Sequence, residues 1–97
     1  MESMNDLDRK INWDAVLEIL PVDADQYVLR GLAYHDKNDN ARAIADFDKA
    51  IELNPTLATA YNCRGRAYRD NGDLNRALLD FNKAIELQPE FTEAFYY

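Results

Sequence analysis

The sequence is poor in the residues that staple or break a chain. Its 97 residues include one cysteine, three prolines, three glycines, one histidine and one tryptophan. The lone Cys63 excludes an internal disulfide, and with neither a CxxC spacing nor a Cys/His cluster no metal site or other cofactor is expected. Positive charge is scarce as well: 11 Lys and Arg stand against 18 Asp and Glu, for a net charge of -7. Neither a nucleic-acid backbone nor an anionic membrane surface is therefore expected as a main partner. Apolar runs are short and interrupted by charge, as in "AVLEIL" at 15–20. Nothing reads as a membrane span, and Met1–Lys10 lacks the apolar stretch of a signal peptide. The expected address is a reducing, intracellular one, cytoplasmic by default. The length allows one small domain with a modest core.

What the chain does have is self-similarity. "DFDKAIELNP" at 46–55 returns as "DFNKAIELQP" at 80–89, and Ala24–Leu57 laid over Ala58–Phe91 agrees at 18 of 34 positions. An internal repeat of this period decides the fold. Ala43, Ile44, Phe47, Ala50 and Ile51 follow a helical period, and Ala77, Leu78, Phe81, Ala84 and Ile85 copy it. Between helices the second unit reads "DNGD", where Gly72 can adopt the left-handed conformation that ends a helix and Asp73 can cap the next. The first unit has "KNDN", with Asn38 in the glycine's place and Asp39 as the cap. Pro55 and Pro89 end the second helices, because a residue before proline is pushed out of helical geometry. Each unit thus reads as helix, tight turn, helix, stop.

These residues resemble the tetratricopeptide repeat, whose 34-residue unit has the pattern W-x2-L-G-x2-Y, then A-x3-F, then P. Tyr27, Gly31, Tyr34, Ala43, Phe47 and Pro55 fill the first copy, and Tyr61, Gly65, Tyr68, Ala77, Phe81 and Pro89 the second. Gly31 and Ala43 would let two helix backbones approach, with Tyr34 and Phe47 filling the space around the contact. Two departures stand out: Tyr replaces the usual Trp, and Arg30 and Arg64 replace the usual Leu. An arginine there needs a partner or water. Asp46 and Asp80 recur at the matching place in the second helix, so either Arg30–Asp46 and Arg64–Asp80 stitch each hairpin or all four are solvated.

The expected architecture is an all-α, helix-turn-helix solenoid in one domain, residues 1–97. An N-terminal capping helix lies within 1–23, repeat 1 spans 24–57, repeat 2 spans 58–91, and 92–97 starts a third unit. "WDAVLEILPVD" is similar to "FDKAIELNPTL" with Trp13 over Phe47, so it reads as a lone second-type helix with Trp13, Val16, Leu17 and Leu20 on one face. Phe95 falls where Tyr27 and Tyr61 sit. The half units at the two ends are complementary, and the aromatic "FTEAFYY" needs cover. Self-association through Trp13, Phe91, Phe95, Tyr96 and Tyr97 is the expectation, as a closed homodimer or a head-to-tail oligomer.

Chemistry is not expected. His35 and Cys63 lie on first helices of adjacent repeats, where they make either a catalytic dyad or, as is far commoner, a surface histidine and a packing cysteine. No third group is placed to orient a dyad. The resemblance implies instead a non-catalytic scaffold for protein–protein interaction, with first helices lining a concave groove that takes a peptide or protein partner. Helical spacing then puts Asp25, Val28, Leu32 and His35, next Thr59, Asn62, Arg66 and Arg69, and last Glu93 and Tyr96 on that side. Of these, Val28, Leu32, His35, Asn62, Arg66, Arg69 and Tyr96 are the candidate peptide contacts; the alternative is an ordinary solvated helix face. Family members that clamp a chaperone's C-terminal carboxylate use Lys and Asn, then Asn, then Lys and Arg. The matching slots here hold Val28 and Leu32, then Cys63, then Glu93 and Tyr97, so the resemblance does not extend to that use.

Overall fold

The computed structural model describes residues 12–90. All regular structure among them is helical: α1 (Trp13–Val16), α2 (Ala24–Asp36), α3 (Asn40–Leu53), α4 (Ala58–Asp70) and α5 (Leu74–Leu87). α2 packs antiparallel on α3, and α4 on α5, while α3 and α4 form the junction between the two hairpins. The chain is a helical solenoid of two such units.

The turns obey the local chemistry of their residues. Asn38 and Gly72 are the described residues with positive φ, at 65° and 87°. Each lets the following amide fold back, Asp39 N–H onto the Tyr34 carbonyl at 2.9 Å and Asp73 N–H onto the Tyr68 carbonyl at 2.8 Å. This closure satisfies carbonyls that the helix end would orphan. The same two aspartates then open the next helices, accepting from the Arg42 and Arg76 amides at 3.2 Å. At the other ends Asn54 (φ -143°) and Gln88 (φ -147°) leave helical geometry ahead of Pro55 and Pro89.

Small residues set the helix spacing. A Cβ on Gly31 would lie 2.5 Å from Phe47 Cε1, and one on Gly65 would lie 2.7 Å from Phe81 Cε1. Each ring therefore occupies the space a side chain on the facing helix would need. Phe47 is fully buried, a contribution of about 1.5–3 kcal/mol. Around it Ala43 and Ala50 of α3 join Ala60, Cys63 and Ala67 of α4 in one core cluster, with Ile44 and Ile51 packed against it. Ala77, Phe81 and Ala84 rebuild the same arrangement in the second unit.

Both arginines that replace the usual leucine are paired. Arg30 Nε and Nη2 donate to Asp46 Oδ2 and Oδ1, both at 2.9 Å. Arg64 does the same to Asp80 at 2.8 and 2.7 Å. Both aspartates are buried. Each guanidinium also lies beside two tyrosine rings, Arg30 at 5.8 Å from Tyr27 and Tyr34, Arg64 at 5.6 Å from Tyr61 and 5.8 Å from Tyr68. Planar Arg thus fills the leucine slot by stacking on aromatics while its edge satisfies a buried carboxylate. The hydrogen bond with Asp80 above all, opposed by burial, raises the Arg64 pKa.

The N-terminal segment departs from expectation. The helix stops at Val16 rather than carrying the Trp13–Leu20 face. Asn12 caps it, with the Ala15 amide 3.2 Å from Asn12 Oδ1, and then Glu18 and Ile19 bond back only three residues, to Ala15 and Val16. Pro21 disfavours helical geometry at Leu20, whose side chain is 84% exposed instead of packed. Trp13, Val16 and Leu17 are half-buried. Phe91 at the end of repeat 2 and the expected start of a third repeat, with Glu93, Phe95, Tyr96 and Tyr97, lie outside the described residues, as do residues 1–11.

Candidate functional site

The candidate groove is formed by α2 and α4, which lie side by side with equivalent positions one 34-residue step apart. Asp23 fixes the start of α2 by accepting from the Gln26 amide at 2.9 Å, while Gln26 Oε1 accepts from the Val22 amide at 2.9 Å. α4 starts at Leu57 without a side-chain cap. Its entry is held by Tyr61, whose hydroxyl donates to the Pro55 carbonyl at 3.1 Å.

Of the residues that spacing assigns to this side, Val28 and Asn62 are buried. Val28 belongs to the core cluster with Phe47 and Cys63. Asn62 Oδ1 has no hydrogen-bond partner among the described residues. An unsatisfied buried acceptor costs about 1–3 kcal/mol, so Asn62 is held there against its own solvation preference. Leu32, His35, Arg66 and Arg69 are half-buried, and Asp25 and Thr59 exposed. Tyr96 lies outside the described residues. The accessible stripe is therefore narrower than spacing alone suggests, and it is cationic along α4.

His35 and Asp70 meet across the repeat boundary, with His35 Nε2 2.7 Å from Asp70 Oδ2. Asp70 also accepts from its neighbour Arg69, Nε to Oδ1 at 3.2 Å. Burial works against the Asp70 charge, but the bonds from His35 and Arg69 and the charge of Arg69 prevail, holding its carboxyl below the ordinary range. The pair links α2 to α4. Sequence reasoning placed His35 on this side but missed Asp70. The signal lay in "HD" at 35–36 recurring as "RD" at 69–70, each a side chain at the same position of the unit followed by an acid.

This geometry also bears on the dyad. His35 is engaged with Asp70, and Cys63 is buried, its thiol pushed up to about 11 mainly by burial and only partly relieved by Arg66. A thiol so placed stays protonated at neutral pH and is a packing group. Among the described residues no cluster of His, Cys, Asp or Glu is arranged to hold a metal ion, and no helix is long and apolar enough to cross a membrane.

The chain was compared with known proteins on this basis. A comparison with curated proteins finds no match. Among solved structures, the chain is similar to the crystal structure of MamA, at 26% sequence identity and a TM-score of 0.77. The match covers 86% of this chain and 50% of that one, so the chain spans about half the length of that structure. A TPR repeat model matches residues 31–68, and a tetratricopeptide repeat model matches 58–91. Together these matches take in both hairpins, from Gly31 near the middle of α2 to the end of the second unit. The chain belongs to the tetratricopeptide repeat family, whose repeats serve as protein-interaction scaffolds.

Proposed function

We infer that the chain is a non-catalytic scaffold that takes an extended segment of a partner protein along the α2–α4 groove, and that the segment carries acidic side chains. The observation behind this reading is the placement of His35, Arg66 and Arg69 on one side of a chain whose net charge is -7. A cationic stripe on an acidic body favours carboxylates locally while repelling acidic proteins elsewhere. Arginine suits the task because its planar fork meets a carboxylate through two bonds. Leu32 adds an apolar contact beside it. No cofactor enters this reading, and a nucleic acid or membrane surface does not suit the charge; the proposed address is the cytoplasm.

The test is titration calorimetry with peptides of equal length that differ in Asp and Glu content. Acidic peptides should bind and their amide counterparts should not. Arg66→Glu together with Arg69→Glu should abolish binding with the helical circular-dichroism signal unchanged. Affinity that survives the double change would overturn the groove assignment.

A second reading, self-association, is favoured by the outer surface of α5. Leu74, Leu78 and Leu79 are 60%, 57% and 69% exposed there. Trp13 and the terminal aromatics Phe91, Phe95, Tyr96 and Tyr97 are the other proposed contributors. A sizing column with light scattering tests it: a mass that stays near 11.2 kDa at high micromolar concentration rules it out.

A further inference from the structure

Among the contacts that join the first repeat to the second, three sets have a counterpart one step along the chain. The groove-side set is His35 with Asp70, at 2.7 Å. A second is Arg64 Nη1 with Asp48 Oδ1, also at 2.7 Å. The third is apolar, with Ile44 and Ile51 of α3 packed against the cluster that holds Ala60, Cys63 and Ala67 of α4. Because the units superpose in sequence, each contact can be shifted by one 34-residue step. The second repeat then presents Arg69 for His35, Asn82 for Asp48, and Leu78 and Ile85 for the two isoleucines. The first repeat carries Asp36 at the place of Asp70, Arg30 at that of Arg64, and Gln26 and Leu29 at those of Ala60 and Cys63, while Ala33, the counterpart of Ala67, is itself buried.

The two sets fit each other. Arg69 faces an acid, the Asn82 amide oxygen faces a guanidinium donor, and Leu78 and Ile85 face Leu29. The exposure follows the same logic, since Cys63 is enclosed by the preceding repeat whereas its counterpart Leu29 is 38% exposed. Along the groove side the polar groups would run Asp36, His35, Asp70, Arg69 and then an acid again, with Arg69 flanked by carboxylates.

We propose that α5 of one copy docks on α2 of a second copy in the register of the internal α3–α4 junction, with Arg69 against Asp36 of the partner subunit. This rests on the self-association reading and specifies its surface and register. The contact is heterologous, so it builds a stack rather than a closed pair. The face of α2 that it uses is held by α1, a single turn tied by an exposed Lys37–Asp14 ion pair and by Arg30 Nη1 on the Ile19 carbonyl at 3.4 Å. An isolated turn of helix has little stability of its own, so α1 is a strap that moves aside when copies stack.

Sedimentation velocity on the 97-residue chain, from about 1 to 500 μM, reads the association. Arg69→Asp and Asp36→Arg should each weaken it about ten-fold, by setting like charges face to face. An equimolar mixture of the two variants should restore it, because every junction then pairs an acid with a base. Leu78→Asp should abolish it, and mixing should not rescue that variant through its own α5. Association that ignores both charge reversals and the mixing sinks this register while leaving self-association by another surface standing. A wild-type chain that remains monomeric sinks both, including the case in which residues after Glu90 cover α5, which would appear as a monomer destabilised by Leu78→Asp.

Discussion

Arg64 and Asp80 face each other through two parallel bonds, Nε to Oδ2 at 2.8 Å and Nη2 to Oδ1 at 2.7 Å, with the carboxylate buried and the guanidinium wedged between Tyr61 and Tyr68. The family pattern has leucine in place of this arginine, so the pair is an exchange of one internal solution for another. Its energetics should be those of a buried ion pair, in which losing one partner is worse than losing both. Asp80→Ala or Arg64→Leu alone should lower stability by about 3 kcal/mol, since each strands a charge or empties its partner's bonds. The double change Arg64→Leu with Asp80→Ala should cost well under the sum of the two. Urea unfolding followed by circular dichroism gives all three values, and additive losses would show that the pair is solvated in effect.

Gly31 and Gly65 test the spacing between helices. The nearest ring carbons, 2.5 Å and 2.7 Å from an added Cβ, belong to Phe47 and Phe81, which are enclosed on all sides and cannot swing away. Gly31→Ala should cost about 2 kcal/mol despite alanine's better helix propensity, because overpacking of about 1–3 kcal/mol exceeds the propensity gain of at most 1. Gly31→Ala with Phe47→Leu should recover part of that loss. Gly72 is the contrasting case: nothing lies within 4 Å of its added Cβ, and only its φ of 87° resists substitution. Gly72→Asn should be tolerated, as Asn38 already is at 65°. Thermal melts would separate the two mechanisms, and a harmless Gly31→Ala would refute the close approach.

Much of the scaffold was legible because it is written in local chemistry. Asn38, Gly72, Asp39 and Asp73 announce their turns by residue type alone, and the apolar period of α3 and α5 gives the buried face without any knowledge of neighbours. Position within a hairpin followed in part: spacing brought Arg30 to Asp46 and Arg64 to Asp80 but left pairing and solvation open, and the structure pairs them. What the pattern could not give was how closely one unit sits on the next. Val28 and Asn62 share the helix face with Leu32 and Arg66, but the first two are buried and the others half-exposed. The N-terminal helix is shorter than its apolar spacing suggests, ending at Val16 although the spacing continues to Leu20 ahead of Pro21. Asp70 was missed because its partner is 35 residues away in sequence.

The His35–Asp70 contact should leave a signature in acid. Asp70 titrates normally at 3.8 and lower when folded, so its charged form is favoured by the native state. A depressed carboxylate contributes stability that is fully present above the unfolded value and lost as pH falls through the folded one. Wild type and Asp70→Asn should therefore differ in stability near pH 5, and that difference should shrink as pH drops below about 4. Urea midpoints collected from pH 2 to pH 7 would show it, on the order of the range in which acidic side chains protonate. A gap that is flat throughout this range would mean the bond does not hold the carboxylate.

Cys63 offers a reading of the junction itself. It is enclosed by both repeats, and its thiol is pushed up to about 11, so reaction with a thiol reagent at neutral pH requires the α3–α4 contact to open. In that regime the labelling rate follows the free energy of opening. Asp48 is 53% exposed and ties Arg64 across the boundary, an ion pair worth about 0.5 kcal/mol, so Asp48→Ala should speed labelling about two-fold. Asp80→Ala, which strands Arg64 inside the second hairpin, should speed it by about 100-fold if that loss of about 3 kcal/mol reaches the junction. The ratio is the informative quantity. Equal rates in both variants would place the opening elsewhere, whereas a large effect from Asp80 and a small one from Asp48 would show that the hairpin and the junction open together.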